Sequence, residues 1–139
     1  MAKNKGKNVS LPDLSAHEKL RFSFEYYDTA DDNKYCLSCA DQTQLKEALF
    51  RLQNICTKSF FDLTRERRVY HFFETDWSHT TKPLGFPNPS VNQLSPFHFA
   101  LISVNGQMAR VFGAYSKGTF YIVWVDLYHE ILPVGLKHT

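Results

Sequence analysis

The last third of the chain places the tightest limit on what it can fold into. Between Pro96 and Asp126 three apolar runs, FHFALISV, QMARVFGAY and TFYIVWVD, are separated only by Asn105-Gly106 and by Ser116-Lys117-Gly118. Asn-Gly between alternating runs is the strongest short-range hairpin signal, because both residues tolerate the positive φ that matches strand twist, and Ser-Lys-Gly is a good second. The expectation is a three-stranded antiparallel meander, which the rest of the chain must cover.

Upstream, the period of the apolar residues changes. LRFSFEYY (20–27) alternates Phe22, Phe24 and Tyr26 against Arg21, Ser23 and Glu25, the pattern of a half-buried strand. Leu45, Ala48, Leu49, Leu52, Ile55 and Cys56 recur at helical spacing, and Asp41 with Gln44 makes a capping box, so a helix is expected over about 42–58. A second short helix is expected over about 59–66, capped by Ser59 with Phe60 and Leu63 facing inward. RVYHFF (68–73) reads as a strand, and Leu11 to Lys19 as a short helix with Ser15 as its cap. Glu74 to Ser95, with Pro83, Pro87 and Pro89, is too irregular for a regular element, and a segment of that length is expected to be functional or packed over the sheet. The order strand, helix, helix, then strands implies an α+β fold, an antiparallel sheet of four to five strands with two helices packed on one face.

With 139 residues there is room for one ordinary domain, expected over 11–139, preceded by a disordered basic arm over 1–10. Lys3, Lys5 and Lys7 belong to that arm; of the 16 Lys and Arg they leave 13 to face all 14 Asp and Glu, so the body is close to neutral. Any site for a polyanion must therefore be local. No apolar run is long enough to span a bilayer and the basic N-terminal stretch lacks an apolar core, so a cytoplasmic protein without membrane contact is expected. The three cysteines are expected to be reduced. Cys36-Leu37-Ser38-Cys39 has the spacing of half a zinc site or of a redox pair, but there is no second CxxC and no thioredoxin-like βαβ context, so two partly buried thiols are the expectation.

No GxSxG, P-loop, GxGxxG or HExxH occurs, which removes the motif-based readings for serine hydrolases, nucleotide triphosphatases, dinucleotide enzymes and zinc proteases. Isolated acid/base residues remain. Among the six histidines His129 draws interest, since it follows directly on the last expected strand, where a strand end meets the surface.

The run ARVFGAYSKGTFYIVWVDLYHEI resembles the final hairpin of the RelE/ParE superfamily of small bacterial toxins, most closely its YoeB-type branch. There an arginine followed by apolar residues, a short turn, an apolar last strand and a closing Tyr-His pair occur in this order; here they are Arg110 with Val111 and Phe112, Ser116 to Gly118, Phe120 to Val125, and Tyr128-His129. The order of elements upstream is also similar. The resemblance implies an mRNA endoribonuclease, ribosome-dependent or free, that needs no metal or other cofactor and is neutralised by a cognate antitoxin protein. It cleaves by transphosphorylation: a base takes the ribose 2′-OH proton, and the oxygen attacks the adjacent phosphate. Arg110 would clamp that phosphate, His129 would be the general acid, and Tyr128 would stack on or position a base. Asp126, three residues before His129, would repel a phosphate unless it is the partner that raises the basicity of that histidine. Glu66, Glu74 and Glu130 are candidates for the base. Arg65, Arg67, Arg68 and Lys117 would bind RNA, and a basic groove gathering Arg65, Arg67, Arg68, Arg110 and His129 would mark RNA chemistry where a flat apolar patch would mark a protein-interaction surface. The competing reading is a non-catalytic protein-interaction module that uses its aromatic surface on a toxin-like fold.

Overall fold

The three C-terminal runs pair as the meander. In the computed structural model, which describes residues 14–104 and 107–133, they are β3 (Ser95–Val104), β4 (Gln107–Ser116) and β5 (Thr119–Asp126). Lys117 and Gly118 take φ of 48° and 87° between the paired residues Ser116 and Thr119, the conformation in which a two-residue turn keeps strand twist. The Asn105-Gly106 turn and the expected 1–10 arm lie outside the described residues. Two short strands, β1 (Arg21–Ser23) and β2 (Phe73–Glu74), complete a five-stranded sheet in the order β1-β5-β4-β3-β2. The α+β class is as the element order implied. The sheet departs from a purely antiparallel one at its edge, where β1 runs parallel to β5 with Phe22 beside Phe120.

Each face of β4 has its own cover. Ala109, Val111 and Tyr115 join Phe72, Phe99, Phe120 and Ile122 beneath α1 (Gln42–Ile55), α2 (Phe60–Arg65) and α3 (Arg67–Tyr70). Phe112 and Ala114 face the other way, against Tyr35, Phe86, Val91, Val123, Trp124, Ile131 and Leu132. Burying each of these large side chains contributes about 1.5–3 kcal/mol, so both faces are core. Phe112 pairs with Trp124 but Gly113 pairs with Ile122, leaving Val123 as an extra residue, so Val123 and Trp124 both reach the second face. Gly113 sits where the strands close up: a Cβ there would collide with the Tyr121 carbonyl oxygen.

The capping boxes form as read. Gln44 N–H donates to Asp41 Oδ1 at 2.8 Å and Asp41 N–H to Gln44 Oε1 at 2.9 Å, while Ser59 and Asp62 make the same exchange at α2. Helix α1 stops at Ile55, three residues before the expected end, and buries only Ala48, Leu52 and Ile55; Leu45 and Leu49 of the expected inner face stay exposed. Leu63 of α2 is fully buried, and Phe60 stacks on Tyr115 with ring centroids 3.8 Å apart. At the N-terminal side, Leu14–His17 forms a single 3-10 turn, shorter than the expected helix.

Two expected strands shrink. Residues 20–27 keep only Arg21–Ser23 in the sheet, because Ser23 Oγ accepts the Glu25 N–H at 3.1 Å and turns the chain away from the ladder. Residues 68–73 are not a strand: Arg67–Tyr70 is helix α3, closed by His71 at φ 50°, and pairing begins only at Phe73. Tyr70 supplies the reason, since helical geometry buries it while Val69 stays outside. The α-helices among the described residues therefore number four, the two packed helices expected over 42–58 and 59–66 with two short ones added. The fourth is α4 (Pro89–Asn92), one turn within the long 74–95 segment, which otherwise runs irregularly over the second face and inserts Trp77, Phe86 and Val91. No helix among the described residues is long and apolar enough to cross a membrane.

Candidate functional site

Arg110 lies on the loop-covered face of β4, beside Ala100 of β3 and Asp126 of β5. It is only 7% exposed, an unusual environment for a guanidinium, and burial holds its pKa below the ordinary arginine value while the charge of Asp126 acts in the opposite direction. After β5 the chain doubles back. Asp126, 1% exposed, accepts the Glu130 N–H at 3.0 Å on Oδ1 and the Ile131 N–H at 2.7 Å on Oδ2. Those bonds hold a tight loop in which His129 takes φ 59°, a conformation histidine reaches more readily than bulkier or branched residues. The reversal carries the His129 ring back over β4, where Arg110 Nε–H donates to His129 Nε2 at 3.1 Å. In that arrangement Nε2 is an acceptor and carries no proton. Arg110 Nη1 is buried and has no hydrogen-bond partner among the described residues.

The loop is fastened from two further sides. Thr81 N–H donates to the Ile131 carbonyl at 2.8 Å and Thr81 Oγ1 to the Glu130 carbonyl at 3.2 Å, while Lys34 Nζ lies 3.0 Å from Glu130 Oε1. Glu130 is thereby engaged with Lys34, whose pKa it raises. Tyr128 stands 48% exposed beside the pair.

The structure thus brings Arg110, Asp126 and His129 together, with Tyr128 adjacent, and separates the basic residues from them. Arg65, Arg67 and Arg68 are exposed on α2 and α3; the Arg65 guanidinium lies over the Phe61 ring, and Arg67, whose Nε donates to the Thr64 carbonyl at 3.2 Å, reaches the β2 edge of the sheet, away from Arg110. Lys117 is at the far end of β4, seven residues from Arg110, or about 20 Å at strand rise. The expected groove containing all of them is not formed. Of the candidate bases, Glu66 caps α2.

Glu74 borders a feature that sequence reading missed. A cavity of about 360 Å³ opens beside β2, lined by Arg67, Glu74, Thr75, Asp76, His79 and His98 among others. His98 forms its floor, 2% exposed, with Nδ1 2.9 Å from Thr75 Oγ1. It pairs with Phe112 in the β3–β4 register, as Ala100 pairs with Arg110, so it lies diagonally across from Arg110 on the same face. The available signal was the alternation of FHFALISV, which puts His98 on the face opposite Phe97 and Phe99.

Compared with known proteins, the chain matches no family model, no curated protein and no solved structure.

Proposed function

We propose that the chain is a metal-independent endoribonuclease of the RelE/YoeB kind, with Arg110 as the phosphate clamp and His129 as the residue that moves the proton. The observation carrying this reading is the 3.1 Å contact between Arg110 Nε and His129 Nε2, which joins two side chains 19 positions apart in a part-buried polar pair. Nη1 is buried, so a phosphodiester oxygen would reach the guanidinium only as the loop carrying His129 moves aside, and a charge-assisted bond to phosphate is about twice as strong as a neutral one. As a phosphate draws Arg110 away, Nε2 is released to take up a proton, and the resulting imidazolium protonates the leaving 5′-oxygen. Asp126 acts as a positioning residue, because its two backbone bonds set the loop that holds His129. Tyr128, exposed next to His129 in the chain, would pack on a flanking base. A cognate antitoxin, the mRNA target and a ribosome belong to the same proposal.

The test is induced expression of the wild type beside Arg110→Lys and His129→Asn, with growth and primer extension on total mRNA followed together. Asparagine tolerates the φ of position 129 and lysine retains the buried charge, so both variants are expected to fold, as circular dichroism would verify. Growth arrest with discrete cuts in the wild type alone is the expected outcome; equal growth and intact mRNA in all three would overturn it.

One observation favours the second reading, a protein-interaction module. Leu45, Leu49 and Phe50 stand 39%, 55% and 72% exposed along α1. If the wild type leaves RNA intact while Leu49→Glu with Phe50→Glu abolishes a co-purifying protein, this reading replaces the first.

A further inference from the structure

The CxxC motif occupies a built environment that neither reading of the function uses. Cys36 immediately precedes a single 3-10 turn, Leu37–Cys39, and Cys39 N–H donates to the Cys36 carbonyl at 3.0 Å. An i to i+3 bond of this kind brings the two α-carbons within about 7 Å, near the range that a disulfide spans. The Cys36 sulfur is met by two hydroxyls: Tyr27 Oη donates to it at 3.3 Å, and Ser38 Oγ lies 2.9 Å away. Tyr27 is itself fixed, since its oxygen accepts the Leu37 N–H at 2.8 Å. Cys39 lacks this support. Its thiol points at the Lys34 carbonyl at 3.8 Å, and it is exposed.

We propose that Cys36 and Cys39 form a thiol–disulfide exchange site for small-molecule disulfides of the glutathione class, with Cys36 as the attacking sulfur and Cys39 as the resolving one. The Cys36 thiolate attacks one sulfur of the small disulfide, forming a mixed disulfide and expelling one small thiolate. Cys39 gives its proton to solvent, attacks the Cys36 sulfur and expels the second small thiolate. Two protein thiols are oxidised to one disulfide as one small disulfide is reduced to two thiols.

The electrostatics agree with that division of roles. Burial alone would push the Cys36 thiol up, but the bonds from the Ser38 hydroxyl, the Tyr27 hydroxyl and the Ser38 backbone outweigh it, and the net shift is downward. Burial first, and then the bond to Cys36, push Tyr27 up to about 12, so its hydroxyl stays a donor at any physiological pH. Both thiols act on Tyr27 through their charge, which places both close to it. The third cysteine is an internal reference: Cys56 is half-buried and burial alone raises its pKa.

The experiment is incubation of the whole chain with oxidised glutathione at near-neutral pH, trapping of free thiols by alkylation and mapping by mass spectrometry. Cys36 should react about tenfold faster than Cys56, and the wild type should end with a Cys36–Cys39 disulfide and no retained glutathione. Cys39→Ser should stop at glutathione on Cys36. Cys36→Ser should leave Cys39 reacting several-fold more slowly than Cys36 does in Cys39→Ser. Tyr27→Phe keeps the ring and its packing but should slow Cys36 about three- to tenfold and move its rate profile to higher pH. Equal rates at Cys36 and Cys56, or a mixed disulfide that persists in the wild type, would overturn the proposal.

Discussion

The two faces of the sheet are covered in different ways. Under the helices lies an almost unbroken set of phenylalanine, leucine, isoleucine and valine, with Phe72, Phe99 and Phe120 fully buried. Under the 74–95 segment and the loop after β5 lie Arg110, Asp126 and His98 among the aromatics. Regular elements satisfy their own backbone and can therefore rest on apolar surface. An irregular cover has N–H and C=O groups to satisfy, and here Asp126, Thr81 and Asn92 meet part of that need. Among the described residues, the polar groups that fasten the loops also create the place where charge is held away from water, and the candidate chemistry falls on that face.

The largest expected effect breaks the helical face. Phe120→Ala removes a ring that meets Phe22 and Phe99, and should cost about 3–5 kcal/mol in urea unfolding. Next comes the polar face: Asp126→Ala frees two buried N–H groups and leaves Arg110 without its nearest carboxylate, a loss of about 3 kcal/mol. The two variants should differ in where they loosen the protein. Hydrogen exchange at the Glu130 and Ile131 amides should rise in Asp126→Ala well beyond the change in global stability, and in Phe120→Ala only in step with it. A protection pattern alike in both would mean that the loop is not an independent unit. Ser59→Ala, which removes the cap of α2 at a buried position, should cost about 1 kcal/mol.

The smallest effect is a pH dependence. Tyr27 binds its proton more tightly folded than unfolded, so its stabilisation is complete below its ordinary pKa of about 10 and is lost as the pH rises from there toward 12. The alkaline fall in thermal midpoint should therefore be shallower in Tyr27→Phe.

Legibility in the sequence followed the same division. The meander, the helix begun by Asp41 and the Ser59 cap are local signals, carried by residues within four positions of each other, and all of them form. Strand pairing at the sheet edges is decided by distant partners. RVYHFF has the composition of a strand, yet packing of Tyr70 against the core and Arg51 over its ring hold a helical turn instead. At the site, residue order could place Arg110 and His129 in one hairpin, but their contact depends on a backbone reversal set by Asp126, which alternation does not reveal. His98 was hidden in a different way: its neighbours looked like core, and only the pairing of β2 with β3 brings Thr75 to its ring.

The parallel pairing of β1 with β5 bears on how the chain acquires its fold during synthesis. Arg21 and Thr119 are partners although they are about 100 residues apart along the chain, a separation of the kind that slows folding. The first strand must wait, unpaired, until the roughly 100 residues that separate it from β5 have been made. Helix α1 and the caps can form meanwhile, but Phe22 has no Phe120 to pack on before then. Pairing of the β1 edge is therefore a late event, and a nascent chain stalled before Thr119 carries an unpaired β1 with an aromatic on it.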